Sequence, residues 1–204
     1  MAGPDALMPL RRDAIGHWAA SLMGDPDAST VVIRSLEPLH VLALRHLPGG
    51  AQAIAQALRP LGIDTLPVAA RLASSAAGAA GPCVLWRSPS EWNLVSTDPN
   101  HVQLVEQALR ATALDGQACS VNLSDGIMGL DLHGPQVDAL LKRLLDAASL
   151  PREAGQATRV RLVDVPVTLV RFGEHHLWLL ADCSHDHYIA AWLAHACAAA
   201  GLST

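Results

Sequence analysis

Residues 83–99 read Cys83-Val84-Leu85-Trp86-Arg87-Ser88-Pro89-Ser90-Glu91-Trp92-Asn93-Leu94-Val95-Ser96-Thr97-Asp98-Pro99. Two short runs of β-branched, aliphatic and aromatic residues, Cys83 to Arg87 and Trp92 to Val95, flank Ser88-Pro89-Ser90-Glu91, a stretch of turn formers. A connection this short can join only antiparallel strands. Asp98-Pro99 then opens a helix, with Asp98 as the cap and Pro99 at the first helical position. Val102, Val105 and Leu109 form its apolar face. A tight strand pair followed by a helix argues for an α+β fold and against a doubly wound parallel sheet.

The same pattern extends in both directions. Upstream, Val31 to Ile33 and Val41 to Leu47 read as strands separated by Glu37-Pro38. Pro48-Gly49-Gly50 turns into a helix over Ala51 to Leu58, ended near Pro60 and Gly62. Ala69 to Gly81 is rich in Ala, Gly and Ser and is expected to be a mobile surface loop. Downstream, Cys119, Val121 and Leu123 alternate with polar residues as a half-buried strand does. Asp125-Gly126 is a two-residue hairpin signal, which predicts that the strand returns over Ile127 to Leu132. Gly134-Pro135 opens a helix that buries Val137, Leu140, Leu141, Leu144 and Leu145. Val160 to Val163, Val167 to Val170 and Leu177 to Leu180 are three more strands, and a helix from His185 to Ala200 closes the chain. Two strands and a helix thus recur about four times, which points to duplicated ferredoxin-like units. At the N-terminus, Ile15, Trp18, Ala19, Leu22 and Met23 recur at helical spacing. The expected organisation is a helical extension over residues 1–30, then a single domain over 31–204 built of two intertwined halves.

Composition narrows the function classes. The 204 residues are 50% hydrophobic and 16% charged, with a net charge of −5, so the chain can bury a full core. An acidic balance disfavours nucleic acid. No apolar run approaches the roughly 18 residues a membrane span needs. Met1 to Leu10 is too broken by Gly3, Pro4, Asp5 and Pro9 for a signal peptide, so the expected location is cytoplasmic. Cys83, Cys119, Cys183 and Cys197 make no C-x-x-C pair and read as free thiols.

Candidate chemistry is sparse. Cys183-Ser184-His185-Asp186-His187 holds three metal-ligand types, but His185 and His187 diverge once helical, and Ser184 suits a helix cap. His175-His176 lie just upstream. Ser124, Asp125 and His133 are triad residue types without a G-x-S-x-G elbow. Asp182, Asp186 and Glu174 suit acid–base work or solvated element ends equally. Neither a P-loop nor a G-x-G-x-x-G fingerprint occurs. Arg45 on an apolar strand calls for a carboxylate, and Glu91 is the internal partner. Trp86 and Trp92 flank one turn and are placed to pack across it. No residue is assigned as catalytic, cofactor-binding or metal-binding.

Three stretches together carry a resemblance. They are Leu44-Arg45-His46-Leu47-Pro48-Gly49 with its helix, Leu61-Gly62-Ile63 and Leu66-Pro67; Leu85-Trp86-Arg87-Ser88-Pro89-Ser90-Glu91-Trp92-Asn93-Leu94; and Val121-Asn122-Leu123-Ser124-Asp125-Gly126 with Leu130, Leu132, His133, Gly134 and Pro135. In order and spacing the chain resembles the gamma subunit family of heterotetrameric sarcosine oxidase, related in fold to the folate-binding domain of the glycine-cleavage T-protein. The resemblance covers about residues 31 to 200. It implies a T-protein-like fold and an accessory, non-catalytic role in sarcosine catabolism in bacteria. It implies no cofactor in this chain: FAD, FMN, NAD, tetrahydrofolate and zinc fall to alpha, beta and delta oxidase subunits. Asp182 to Ile189 departs from the family's Arg-Ser-aromatic stretch, matching loosely at Ser184, Tyr188 and the later Trp192. The alternative is a stand-alone tetrahydrofolate-binding, aminomethyltransferase-like protein.

Overall fold

The hairpin closed at Ser88 to Glu91 anchors one of the two five-stranded antiparallel sheets among the described residues. The computed structural model describes residues 31–75, 79, 81–112 and 117–200. The expected N-terminal extension over 1–30, with its helix from Ile15 to Met23, lies outside the described residues. Strands β1 (Val32–Ser35), β2 (His40–His46), β3 (Leu72–Ser74), β4 (Cys83–Ser88), β5 (Glu91–Ser96), β6 (Ala118–Asn122), β7 (Ile127–His133), β8 (Ala157–Leu162), β9 (Val165–Gly173) and β10 (His176–Asp182) alternate with helices α1 (Ala51–Leu58), α2 (Pro99–Thr112), α3 (Val137–Leu141) and α4 (Asp186–Ala199). The first sheet runs β1-β7-β10-β9-β8, the second β3-β4-β5-β2-β6.

The hairpin predicted at Ser88 to Glu91 forms, and the one predicted at Asp125-Gly126 does not. β4 pairs with β5 and β9 with β10, antiparallel. β1 and β2, however, lie in different sheets, and so do β6 and β7. The hairpin expected at Asp125-Gly126 is therefore corrected: β6 pairs with β2, while β7 pairs with β1 and β10. The turn is still there, with Gly126 N–H donating to Leu123 O at 2.9 Å. It carries the chain from one sheet to the other instead of folding it back.

These crossings reveal a strand-exchanged duplication. β1-β2-α1-β3-β4-β5-α2 and β6-β7-α3-β8-β9-β10-α4 have the same element order. Read position by position, β6-β2-β5-β4-β3 matches β1-β7-β10-β9-β8. Each half lends its first strand to the sheet of the other. The two crossings touch: Leu36 N–H donates to Gly129 O at 2.9 Å, Leu123 N–H to Val41 O at 2.8 Å, and Val41 N–H to the Ser124 hydroxyl oxygen at 3.1 Å.

Strand alternation then sorts the side chains into three cores. Leu130, Leu132, Leu169, Leu177 and Leu179 face α3 and α4, meeting Leu140, Leu141, Ile189 and Leu193. Leu42, Leu44, Val84 and Leu94 face α1 and α2, meeting Ile54, Leu58, Val105 and Leu109. Val41, Cys83, Leu85, Val95, Val170, Trp178 and Leu180 point the other way and join the sheets face to face. The order of layers is helix, sheet, sheet, helix.

Local signals hold with adjustments. Asp98 caps α2, its Oδ1 accepting from Asn100 N–H at 2.9 Å. α3 is shorter than predicted, yet Leu144 and Leu145 beyond it are buried as expected. Ala69 to Gly81, expected as a loop, contains β3 at the edge of its sheet, paired with β4; residues 76–78 and 80 of that stretch lie outside the described residues. Trp86 and Trp92 are direct cross-strand partners. The ring stacked on Trp92 is that of His46, at 5.3 Å, and the buried Trp92 Nε1 donates to Pro67 O at 2.9 Å. Arg45 pairs with Glu91 at 3.2 Å, as the sequence reading favours, although Arg45 lies largely in solvent. No helix among the described residues is long and apolar enough to cross a membrane.

Candidate functional site

Where the apolar contact between the sheets runs out, the facing strands carry polar side chains. The alternation that buries Val84 and Trp86 toward the helices turns Arg87 inward on β4, and likewise Glu91 and Asn93 on β5. From the opposite sheet, β8 contributes Arg159, β9 Thr168 and β10 Asp182, with His185 just beyond. Together they line a cleft of about 250 Å³. A second hollow of about 270 Å³ shares Arg87, Arg159 and Thr168 in its lining.

The Arg87 guanidinium reaches across the cleft, donating from Nη1 to Thr168 Oγ1 at 3.4 Å. Burial lowers the Arg87 pKa and the Arg159 charge lowers it further, with Glu91 opposing and Arg45 adding a smaller push downward. Asn93 is 9% exposed and its Oδ1 has no hydrogen-bond partner. A buried amide oxygen without a donor is uncommon in folded proteins.

A second polar group sits on the inner face of the other sheet. Asp131 on β7 accepts from His133 Nε2 through Oδ2 and from His176 Nε2 through Oδ1, each at 2.8 Å. His133 and His176 are cross-strand partners. Asp131, His133 and His176 place their donor atoms within 4.8 Å of one another, a ligand set that suits a divalent ion. One ring nitrogen of each histidine, Nε2, already bonds the carboxylate. Burial acts to raise the Asp131 pKa; the His176 and His133 hydrogen bonds and charges outweigh it and hold the carboxyl below its usual range.

Of the residues singled out in the sequence, His133 and His176 come together on Asp131, and the others are dispersed. Cys183 Sγ lies 3.5 Å from Asp125 O, His185 lines the cleft, and His187 N–H donates to Asp186 Oδ1 at 2.5 Å. Cys183, His185 and His187 form no metal-ligand cluster among the described residues. Ser184 does not cap α4, whose N-cap is His185 with no side-chain cap bond; the Asp182 carboxylate caps the short 3-10 turn Cys183–His185, accepting from Ser184 N–H at 2.9 Å. Bonds from the Ser184 hydroxyl and backbone hold Asp182 below its usual range. Ser124 bonds Asn122 Oδ1 at 2.7 Å while His133 bonds Asp131, so no triad forms from Ser124, Asp125 and His133. Glu174 is exposed beside His175 at 3.9 Å. Sequence reasoning missed Arg87, Asn93, Arg159 and Asp131. Their signal was present in part: each is a polar residue at an inward position of its strand.

Two exchanged sheets between helix layers define the class of the fold, that of the aminomethyltransferase T-proteins. The glycine cleavage system aminomethyltransferase T from Bartonella henselae superposes with a TM-score of 0.59 at 16% identity, covering 87% of this chain and 48% of that one. Within that class, the chain belongs to the sarcosine oxidase, gamma subunit family, whose model matches residues 46–199. It is 30% identical over 191 residues to sarcosine oxidase subunit gamma of Corynebacterium sp. (strain U-96), covering 90% of this chain and 88% of that protein. The strain P-1 subunit is 28% identical over 188 residues, with the same coverage. A chain of the heterotetrameric sarcosine oxidase from Corynebacterium sp. U-96, in complex with pyrrole 2-carboxylate, superposes with a TM-score of 0.78 at 27% identity. That match covers 96% of this chain and 98% of the other.

Proposed function

We propose that this chain is the accessory, non-catalytic gamma subunit of a heterotetrameric oxidase acting on sarcosine or a related N-methyl amino acid. The observation that carries this reading is the near end-to-end match with a chain of a heterotetrameric sarcosine oxidase. Its partners are alpha, beta and delta subunits, and FAD, FMN, NAD, tetrahydrofolate and zinc reside in them.

Co-expression tests this. With alpha, beta and delta subunits present, this chain is expected to co-elute stoichiometrically with oxidase activity on sarcosine. Leaving it out is expected to reduce the yield of assembled enzyme. A fully active oxidase assembled without it, with the chain recovered only as a free species, overturns the proposal.

A further inference from the structure

The cleft between the sheets brings together two cations without a carboxylate partner among the described residues and one buried acceptor without a donor. Arg87 and Arg159 enter it from opposite sheets, and neither forms an ion pair with a carboxylate of the described residues. Glu91 lines the same cleft but is held by Arg45 at 3.2 Å. The bond from Arg87 to Thr168, at 3.4 Å, is long for a guanidinium donor. Two cations brought together in this way, one of them partly desolvated, leave an anion's place between the sheets. Asn93, more than nine-tenths buried, lines the same cleft, and its Oδ1 is an acceptor that receives no donor.

A bare inorganic anion answers the guanidiniums and leaves the Asn93 carbonyl unpaired. A molecule that carries a carboxylate and an N–H group answers both. Glu91 and Asp182, one from each sheet, favour a cationic N–H group over a neutral one. The cleft, at about 250 Å³, falls below the roughly 300–1,000 Å³ of pockets for drug-sized ligands, so its occupant is small.

We propose that this cleft is a binding site for a small zwitterionic amino acid, with the carboxylate on Arg87 and Arg159 and the amino group toward Asn93 Oδ1. This goes beyond the assembly role and does not depend on it, since it can be tested on the chain alone.

The test is calorimetric titration of the purified full chain with glycine and with sarcosine. Acetate supplies a carboxylate without an amine, methylamine the reverse, and inorganic phosphate an anion of another shape. Saturable one-to-one binding of an amino acid is expected, with acetate, methylamine and phosphate at least about 10-fold weaker, the scale of one lost charge-assisted contact. Arg159→Met alters an exposed side chain and is expected to weaken amino-acid binding about 10-fold with the fold intact by circular dichroism. Asn93→Leu is expected to narrow the preference for an amino acid over acetate. Absence of binding by both amino acids overturns the proposal, as does equal affinity for acetate or phosphate, or wild-type affinity in Arg159→Met.

Discussion

His133 and His176 stack face to face across β7 and β10, ring centroids 3.9 Å apart, and each donates to a different oxygen of Asp131. One carboxylate thus fixes two imidazoles that would otherwise repel when charged. The arrangement ties β7 to β10 on the inner face of the sheet, where the polar cluster adjoins Phe172, 5.3 Å from His176.

That relationship makes a pH prediction. Asp131 has its pKa held below the ordinary carboxylate value of about 3.9 in the folded chain. A depressed folded pKa stabilises the fold above about pH 4, and the contribution is lost as pH falls through the lower, folded value. Asp131→Asn is therefore expected to be less stable than wild type at pH 5, with the gap shrinking toward pH 3. Urea denaturation at several pH values below about 5 measures it. A gap that stays constant across that range contradicts the linkage.

Arg171 is the most buried charge among the described residues, at 2% exposure. It donates to Pro151 O at 2.5 Å, Gly173 O at 3.2 Å, Glu174 O at 2.6 Å and Asp138 Oδ1 at 2.5 Å, joining β9 to two loops and α3. Arg171→Ala is expected to cost about 3 kcal/mol, because it leaves a void and three carbonyls without their donor. Thermal melting checks it, and a loss under about 1 kcal/mol contradicts this account.

Arg45 is the contrasting case. Its bond to Glu91 is geometrically sound, but the Arg45 side chain is 59% exposed. Solvent screening reduces such a pair to about 0–1 kcal/mol. Arg45→Ala is expected to leave the melting temperature nearly unchanged in the same assay.

Gly50 begins α1 against the chain entering β6. A Cβ there would lie 2.2 Å from Gln117 O and 2.7 Å from Gln117 C, both backbone atoms that have no rotamer to yield. Gly50→Ala is expected to destabilise by about 1–3 kcal/mol. Gly129→Ala is the gentler comparison, because its nearest contacts are the Leu39 and Leu36 methyl groups at 2.9 and 3.0 Å. Paired denaturation curves give the order, which reverses if side-chain contacts dominate.

The cysteines differ in access. Cys83 is fully buried between the sheets, and burial pushes its thiol up to about 12; burial also raises Cys197. Cys119 is exposed on edge strand β6. Alkylation by iodoacetamide, followed by mass spectrometry, is expected to modify Cys119 first and Cys83 only under denaturing conditions. Early labelling of Cys83 in the folded chain would contradict the packing of the inner faces.

Local pattern determined much of this protein from sequence alone. Short apolar, β-branched and aromatic runs bounded by turn formers mark nine of the ten strands among the described residues, Asp98-Pro99 marks the start of α2, and Ser88 to Glu91 marks a true hairpin. Each is a signal a chain carries within a few residues, through side-chain alternation or cap chemistry. The short strand β3 escaped because Leu72-Ala73-Ser74 has little β-forming character and pairs only through its neighbour β4. What only the tertiary structure decided is which strands share a sheet. Asp125-Gly126 turns the chain equally well whether the next strand folds back or crosses over, so a local turn signal cannot distinguish the two. The choice rests on contacts made by distant residues, Leu36 with Gly129 and Leu123 with Val41, which place β7 beside β1 and β6 beside β2. The same distance in sequence hides the cleft. Arg87, Asn93 and Arg159 become a site only when two exchanged sheets close face to face and leave their polar ends unpaired.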